Sequence, residues 1–284
     1  MANPENFSWK ASNGETLYGQ KWLSTDNPTA IIILIHGLGE HIGRYTHVAE
    51  YFVQKNISIY GFDHRGHGKS SGKRGHISST EDYFSDIEYT METAKKEYPN
   101  APLFLYGHSL GGNMVLNYSL RKKPPVAGVI CTSPGLAVGE PLPPAKLFLA
   151  KILKTLLPSM TIDNGLDVNN LSHDLQVIKK YQEDPLVHPM ISAKLAMDMF
   201  SNGDWVIENA SNFSIPLLLM AGSEDHIINV EKVKEFANKV PEKFITFELF
   251  PGLYHEIHNE FEQEKVFIKM YEWILQQLEI IPER

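Results

Sequence analysis

An apolar run, a G-x-S-x-G pentapeptide and a helix-forming run follow one another without a break in Leu103-Phe104-Leu105-Tyr106-Gly107-His108-Ser109-Leu110-Gly111-Gly112-Asn113-Met114-Val115-Leu116. This order constrains the fold more than any other feature of the chain. A serine at a tight strand-to-helix reversal has its hydroxyl pushed beyond the edge of a sheet, and the crowded backbone there requires small neighbours. Gly107 and Gly111 supply them. The same turn sets the amide of Leu110 at a helix N-terminus, where helix dipole and hydrogen bond together favour a developing oxyanion. Leu103 to Tyr106 reads as a buried strand and Gly112 to Leu120 as a helix, the setting in which such a serine is a nucleophile.

Around this stretch the pattern alternates. Phe7 to Lys10 and Leu17 to Leu23 flank Asn13-Gly14, a hairpin signal that predicts two antiparallel strands at the start of the sheet. Ala30 to Ile35 is apolar throughout, as expected of a strand covered on both faces. A helix is predicted from Tyr45 to Lys55, a strand from Ile57 to Phe62, and a helix capped by Thr80 and running to Tyr98. Val126 to Thr132 is a further buried strand. Alternating strands and helices predict an α/β fold with a mostly parallel central sheet and helices on both faces.

The alternation stops at Pro134. From there to about Asn212 no clear strand is visible, and helical runs are separated by Pro141, Pro143, Pro144, Pro158, Pro185 and Pro189. Strands resume at Ile215 to Met220 and Phe244 to Phe250, with helices at Val230 to Val240 and Phe261 to Leu278. The economical division is a core of residues 1–134 and 213–284 with a helical cap inserted at 135–212.

A serine hydroxyl is a weak nucleophile near neutral pH, so a base must take its proton and a carboxylate must orient that base. Functional groups in such sheets gather beyond the carboxyl ends of the strands. Asp225 follows one strand end and His255 another, so the chain order is Ser109, Asp225, His255, as in the α/β-hydrolase fold. Glu224 competes for the carboxylate role and His226 and His258 for the base. Asp225 is preferred for its shorter arm, and His255 because it directly follows a strand end. His108 is expected to pack beneath the turn. A second oxyanion donor should come from the loop His36-Gly37-Leu38-Gly39, with the amide of Leu38 facing a substrate carbonyl.

Other function classes are disfavoured. A net charge of -8 over 284 residues argues against a nucleic-acid surface. Asp63, His64, His67 and His76 lack the spacing of a metal site and read as a turn, so neither metal nor cofactor is expected. The single cysteine, Cys131, lies in an apolar run and fits a reducing, cytoplasmic setting. Met1 to Trp9 lacks the pattern of a signal peptide, and no apolar stretch approaches the length of a membrane span. Ala145 to Leu157 places Lys146, Lys151 and Lys154 on one side of a helix and bulky apolar residues on the rest, which predicts peripheral membrane contact through the cap.

Several of these stretches together resemble monoacylglycerol lipases: His36-Gly37-Leu38-Gly39-Glu40-His41 through Arg44-Tyr45, Asp63-His64-Arg65-Gly66-His67-Gly68-Lys69-Ser70, Gly107-His108-Ser109-Leu110-Gly111-Gly112, and Tyr254-His255-Glu256-Ile257-His258. The resemblance implies a serine hydrolase that cleaves monoacylglycerols to fatty acid and glycerol, with Ser109, Asp225 and His255 as triad and Leu38 and Leu110 as oxyanion pair. It also implies that Glu40, Arg44, Tyr181 and His258 surround the glycerol pocket, and that a helical cap forms the acyl channel. Cysteines that vertebrate members carry near the site are replaced here by His188 and Ile228, and the elbow residue is Leu110 where methionine is common. The alternatives are a lysophospholipase or general carboxylesterase and, outside enzymes, a small-molecule receptor on the same scaffold.

Overall fold

The computed structural model describes residues 4–24, 26–139 and 143–280, the side chains of Pro144 and Lys146 excepted. The predicted positions of Met1, Pro141 and the Lys146 side chain lie outside this set.

Eight strands form one sheet: β1 (Glu5–Lys10), β2 (Thr16–Trp22), β3 (Ala30–Ile35), β4 (Ile57–Phe62), β5 (Leu103–His108), β6 (Gly128–Thr132), β9 (Leu217–Gly222) and β10 (Ile245–Phe250). Their spatial order is β1-β2-β4-β3-β5-β6-β9-β10. The first hairpin is antiparallel and β2 pairs antiparallel with β4, whereas every other neighbouring pair in the sheet is parallel. The predicted mostly parallel sheet is therefore present, and its β5 strand lies near the middle.

The unbroken apolar character of β3 has a direct structural cause. Ile31, Ile33 and Ile35 enter one core with Phe84, Leu116 and Phe236, while Ile32 and Leu34 enter a second with Phe52, Met270 and Trp273. Helices α2 (Thr80–Glu97), α3 (Leu110–Lys122) and α7 (Val230–Lys239) contribute to the first core, and α1 (Thr46–Val53) and α8 (Gln263–Ile280) to the second. Alternate side chains of a strand point to opposite faces, so a strand buried on both faces has no polar position available.

Between β6 and β9 the chain leaves the sheet and forms α4 (Pro144–Leu156), β7 (Thr161–Asp163), α5 (Leu175–Glu183), β8 (Met190–Ser192) and α6 (Ala193–Glu208). α6 is tied to α3 by the Asn113 and Asn117 amides, which donate to the carbonyls of Met199 and Asn202 at 3.1 and 3.3 Å. Two details depart from the sequence reading. The region held to be free of strands contains the antiparallel pair β7 and β8, each of three residues and too short to show alternation. The cap of α2 is Ser79, whose hydroxyl accepts from the Asp82 amide at 3.1 Å. Thr80 is the first helical residue, and its hydroxyl accepts from Asn202. No helix among the described residues is long and apolar enough to cross a membrane.

Candidate active site

Ser109 sits between β5 and α3 at φ 54° and ψ -116°, a left-handed conformation that L-residues adopt at a cost. Its backbone is held from three sides: its amide donates to the Thr132 carbonyl at 3.0 Å, and its carbonyl accepts from Asn113 and Gly135, both at 2.9 Å. Gly107 and Gly111 let β5 and α3 close on each other. A Cβ on Gly107 would lie 2.4 Å from the Gly111 carbonyl oxygen, and one on Gly111 would lie 2.1 Å from that of Ile35.

Two strand-end loops bring the partners of the serine. Asp225 follows β9, and its Oδ1 accepts from the Ile227 and Ile228 amides at 2.8 and 3.1 Å. Its Oδ2 lies 2.7 Å from Nδ1 of His255. An ionised carboxylate only accepts, so Nδ1 carries the proton and Nε2 presents its lone pair to Ser109 Oγ, 3.0 Å away. Ser133 fixes the histidine loop by donating to the His255 carbonyl at 2.8 Å.

Charge distribution matches this geometry. Burial would push Asp225 up, but the imidazole and the two amides hold it below the usual carboxylate range. Burial would push His255 down, and the charge and hydrogen bond of Asp225 overcome this and raise it above the ordinary histidine value. The rivals lie elsewhere: Glu224 and His226 are exposed, and His108 is buried with Nδ1 3.0 Å from Thr132 Oγ1.

The loop after β3 approaches from the other side. A Cβ on Gly37 would stand 3.2 Å from that of Ser109. The Gly37 amide is taken by Glu40 Oε1 at 2.6 Å, so Leu38 is the next amide along this turn, and Leu38 lines the cavity above Ser109. Leu110 heads α3 as expected. Glu40 and Tyr181 also line the cavity, but Arg44 and His258 stand behind its wall, outside the described lining residues. The Arg44 guanidinium is spent on Glu40 and Glu256. His258 lies in a 3-10 turn, Ile257–Asn259, that directs its ring inward to stack on Tyr45 at 4.9 Å and meet His108 edge-on at 4.6 Å.

Residue-by-residue reading of the sequence assigned no role to Glu256, which the Arg44 pair makes part of this neighbourhood. It also missed the polar links between β6 and the histidines through Thr132 and Ser133. Glu256 was visible as the neighbour of His255 in the quoted motif. Nothing local marked Thr132 and Ser133, because their partners are more than twenty positions away. Of the histidines considered as metal ligands, His64 donates from Nε2 to the His36 carbonyl at 2.8 Å and His67 from Nδ1 to that of Arg65 at 3.0 Å. His76 bonds Ser192 Oγ. Burial of Cys131 pushes its thiol well up, out of the reactive range.

The cavity over Ser109 has a volume of about 1330 Å³. Its lining joins Ser109, His255 and Glu40 to polar residues between β7 and α5, Asn164, Asp167 and Asn170, and to the apolar Leu149, Leu153, Met160, Ile191, Met199 and Phe200 from α4, β8, α6 and the segment between α4 and β7.

Known proteins resemble this chain in sequence and fold. A family model described as serine aminopeptidase, S33, matches residues 26–262. An abhydrolase domain-containing protein of Dictyostelium discoideum is 39% identical over 270 residues. The match takes in 94% of this chain, which spans only 28% of that protein. A monoacylglycerol lipase of Mycolicibacterium smegmatis is 31% identical over 272 residues, with 95% of this chain and 97% of its own length matched. The solved structure of a monoacylglycerol lipase from Paleococcus ferrophilus superposes with a TM-score of 0.84 at 36% identity, covering 92% of this chain and 99% of that one.

Proposed function

We propose that this chain, which belongs to the serine aminopeptidase S33 family of α/β-hydrolases, cleaves monoacylglycerols to a fatty acid and glycerol through an acyl-serine intermediate. The observation that carries the reading is the Ser109, His255, Asp225 hydrogen-bond relay opening into a large cavity whose lining includes bulky apolar side chains of α4, β8 and α6. Ser109 Oγ attacks the ester carbonyl while His255 Nε2 takes its proton. The C–O bond to glycerol then breaks, and the imidazolium returns the proton to the leaving alkoxide. Asp225 stabilises that imidazolium, and the amides of Leu38 and Leu110 are read as donors to the oxyanion. Water attacks the acyl-enzyme by the same route and releases the fatty acid.

Residues 135–212 are read as a cap over a core of 1–134 and 213–284, with its apolar walls receiving the acyl chain. α4 leaves Phe148, Leu156 and Leu157 exposed, and the exposed Leu149, Met160 and Ile162 border the mouth of the cavity. An apolar surface of this kind beside Lys151 and Lys154 suits a lipid interface, which supports peripheral membrane contact at the cap.

A hydrolysis panel tests the substrate assignment: monoacylglycerols of varied chain length, a lysophospholipid, di- and triacylglycerols, a short p-nitrophenyl ester and an aminoacyl amide. Monoacylglycerols are expected to have the highest kcat/KM. Preference for the lysophospholipid would move the assignment to that class and leave the chemistry unchanged. A phospholipase of Bacillus subtilis, 29% identical over 244 residues, makes that comparison pertinent.

A further inference from the structure

The Arg44 guanidinium lies in a buried ionic path between the two loops that flank Ser109. Arg44 belongs to the turn Ile42–Tyr45 after β3, and Glu256 follows β10, four strands away in the sheet. Nη1 donates to Glu40 Oε2 at 2.5 Å and to Glu256 Oε1 at 2.7 Å, and Nη2 donates to Glu256 Oε2 at 2.7 Å. Beyond Arg44 the path continues in both directions. Glu40 Oε1 accepts from the Gly37 amide at 2.6 Å and the Tyr45 hydroxyl at 2.7 Å. Glu256 Oε2 also accepts from Asn259 at 2.7 Å. One end is therefore the residue before Leu38, and the other is the residue after His255.

We propose that Arg44 is a positioning residue that sets the Leu38 turn at a fixed distance from the His255 loop, and does not recognise the alcohol part of the substrate. This rests on the assignment of Ser109, His255 and Leu38 made above. Three observations carry it. The guanidinium donors are directed at two carboxylates, its face is covered by the Tyr181 ring at 4.7 Å, and Arg44 does not reach the cavity wall. Only a planar fork spans two carboxylates in this way, which a lysine ammonium cannot reproduce. A buried charged cluster is costly to desolvate and adds little net stability, so its value here lies in the unique geometry it imposes.

The test uses the full chain with Arg44→Met, Arg44→Lys and Glu256→Gln, assayed on a monoacylglycerol and on p-nitrophenyl butyrate, which has no glycerol. Thermal melts give the folded fraction by which kcat is normalised. Arg44→Met is expected to lower kcat on both esters by the same factor, on the order of 10 to 10², with KM changed less than about threefold, because small misplacement of reacting groups costs this much. Arg44→Lys should recover only part of that loss. Glu256→Gln should lower kcat on both esters and move the acid limb of the pH profile to lower pH. His255 is acted on by the charges of Asp225, Glu256 and Glu40 and lies beside His108 and His258, and this change removes one negative charge from that set. A merely structural role would lower the folded fraction and leave normalised kcat unchanged, so the uniform loss of kcat with KM retained, and its partial recovery in Arg44→Lys, is the deciding readout.

A loss confined to the glycerol ester and expressed in KM would overturn the proposal in favour of headgroup binding. Undiminished kcat on both esters would also overturn it. If Arg44→Met does not fold, the isosteric Glu256→Gln carries the same decision. Should the unaltered protein hydrolyse only the p-nitrophenyl ester, the substrate assignment fails while the comparison of variants on that ester still decides the role of Arg44.

Discussion

His255 holds its Nδ1 2.7 Å from Oδ2 of Asp225, a carboxylate whose other oxygen is occupied by two backbone amides. The aspartate is thereby fixed as an acceptor, and the imidazole tautomer is fixed with it. Asp225→Asn puts a donor or an uncharged acceptor in that place. The expected result is a fall in kcat of about 10⁴, the scale seen when a triad carboxylate is neutralised. Glu224→Gln, one position earlier and exposed, should leave kcat within about twofold of the original. Steady-state kinetics on one ester checks both.

The same pair governs pH dependence. Catalysis requires neutral His255, and its folded-state pKa is raised above the ordinary 6.5 because the lowering by burial is outweighed by the charge and hydrogen bond of Asp225 together with the charges of Glu256 and Glu40. A raised pKa keeps the imidazole protonated to higher pH, so activity is lost as pH falls through that raised value. The acid limb of kcat/KM should therefore have its midpoint above 6.5, as read from a pH-rate profile.

Ser109 tests chemistry and strain separately. Ser109→Ala should lower kcat by about 10⁴ to 10⁶ and keep the fold. Its backbone still carries a Cβ at φ 54°. Ser109→Gly removes that Cβ, and although glycine costs unfolded-state entropy, relief of strain should make it more stable than the alanine variant by about 1 kcal/mol. Urea denaturation of the two inactive proteins measures the difference.

Gly111 has no room for a side chain. A methyl group there meets the Ile35 and His36 carbonyl oxygens at 2.1 and 2.5 Å, both rigid backbone atoms at the end of β3. Gly111→Ala should destabilise the protein by about 1–3 kcal/mol and lower kcat, since α3 must move away from the loop that carries Leu38. A shift of the urea midpoint without a change of slope is the expected signature.

Membrane contact is tested on side chains that face outward. Phe148 and Leu156 are 67% and 71% exposed, whereas Leu153 lines the cavity. The double variant Phe148→Asp and Leu156→Asp should reduce flotation with anionic liposomes and leave hydrolysis of a water-soluble ester unchanged. Retained flotation would remove the cap from the membrane model. Leu153 is unsuitable for this purpose, because its substitution also alters the cavity wall.

The strands, the serine turn and the order of the three polar residues were legible in the sequence because each is encoded over a few adjacent positions. The all-apolar β3 reports burial on both faces, and Gly107 with Gly111 reports a backbone crossing. Choosing His255 over its rivals used the same local signal, the end of a strand, and Asp225 was chosen over Glu224 for its shorter arm. The roles of Arg44 and His258 lie beyond such reasoning. Resemblance set both around a glycerol pocket, yet the structure turns Arg44 onto Glu256, 212 positions away, and His258 onto Tyr45. A short motif specifies a turn or a reactive group. Which carboxylate a guanidinium meets is decided only when distant strand ends are packed side by side, where leaving a buried charge unpaired costs more than any local preference can supply.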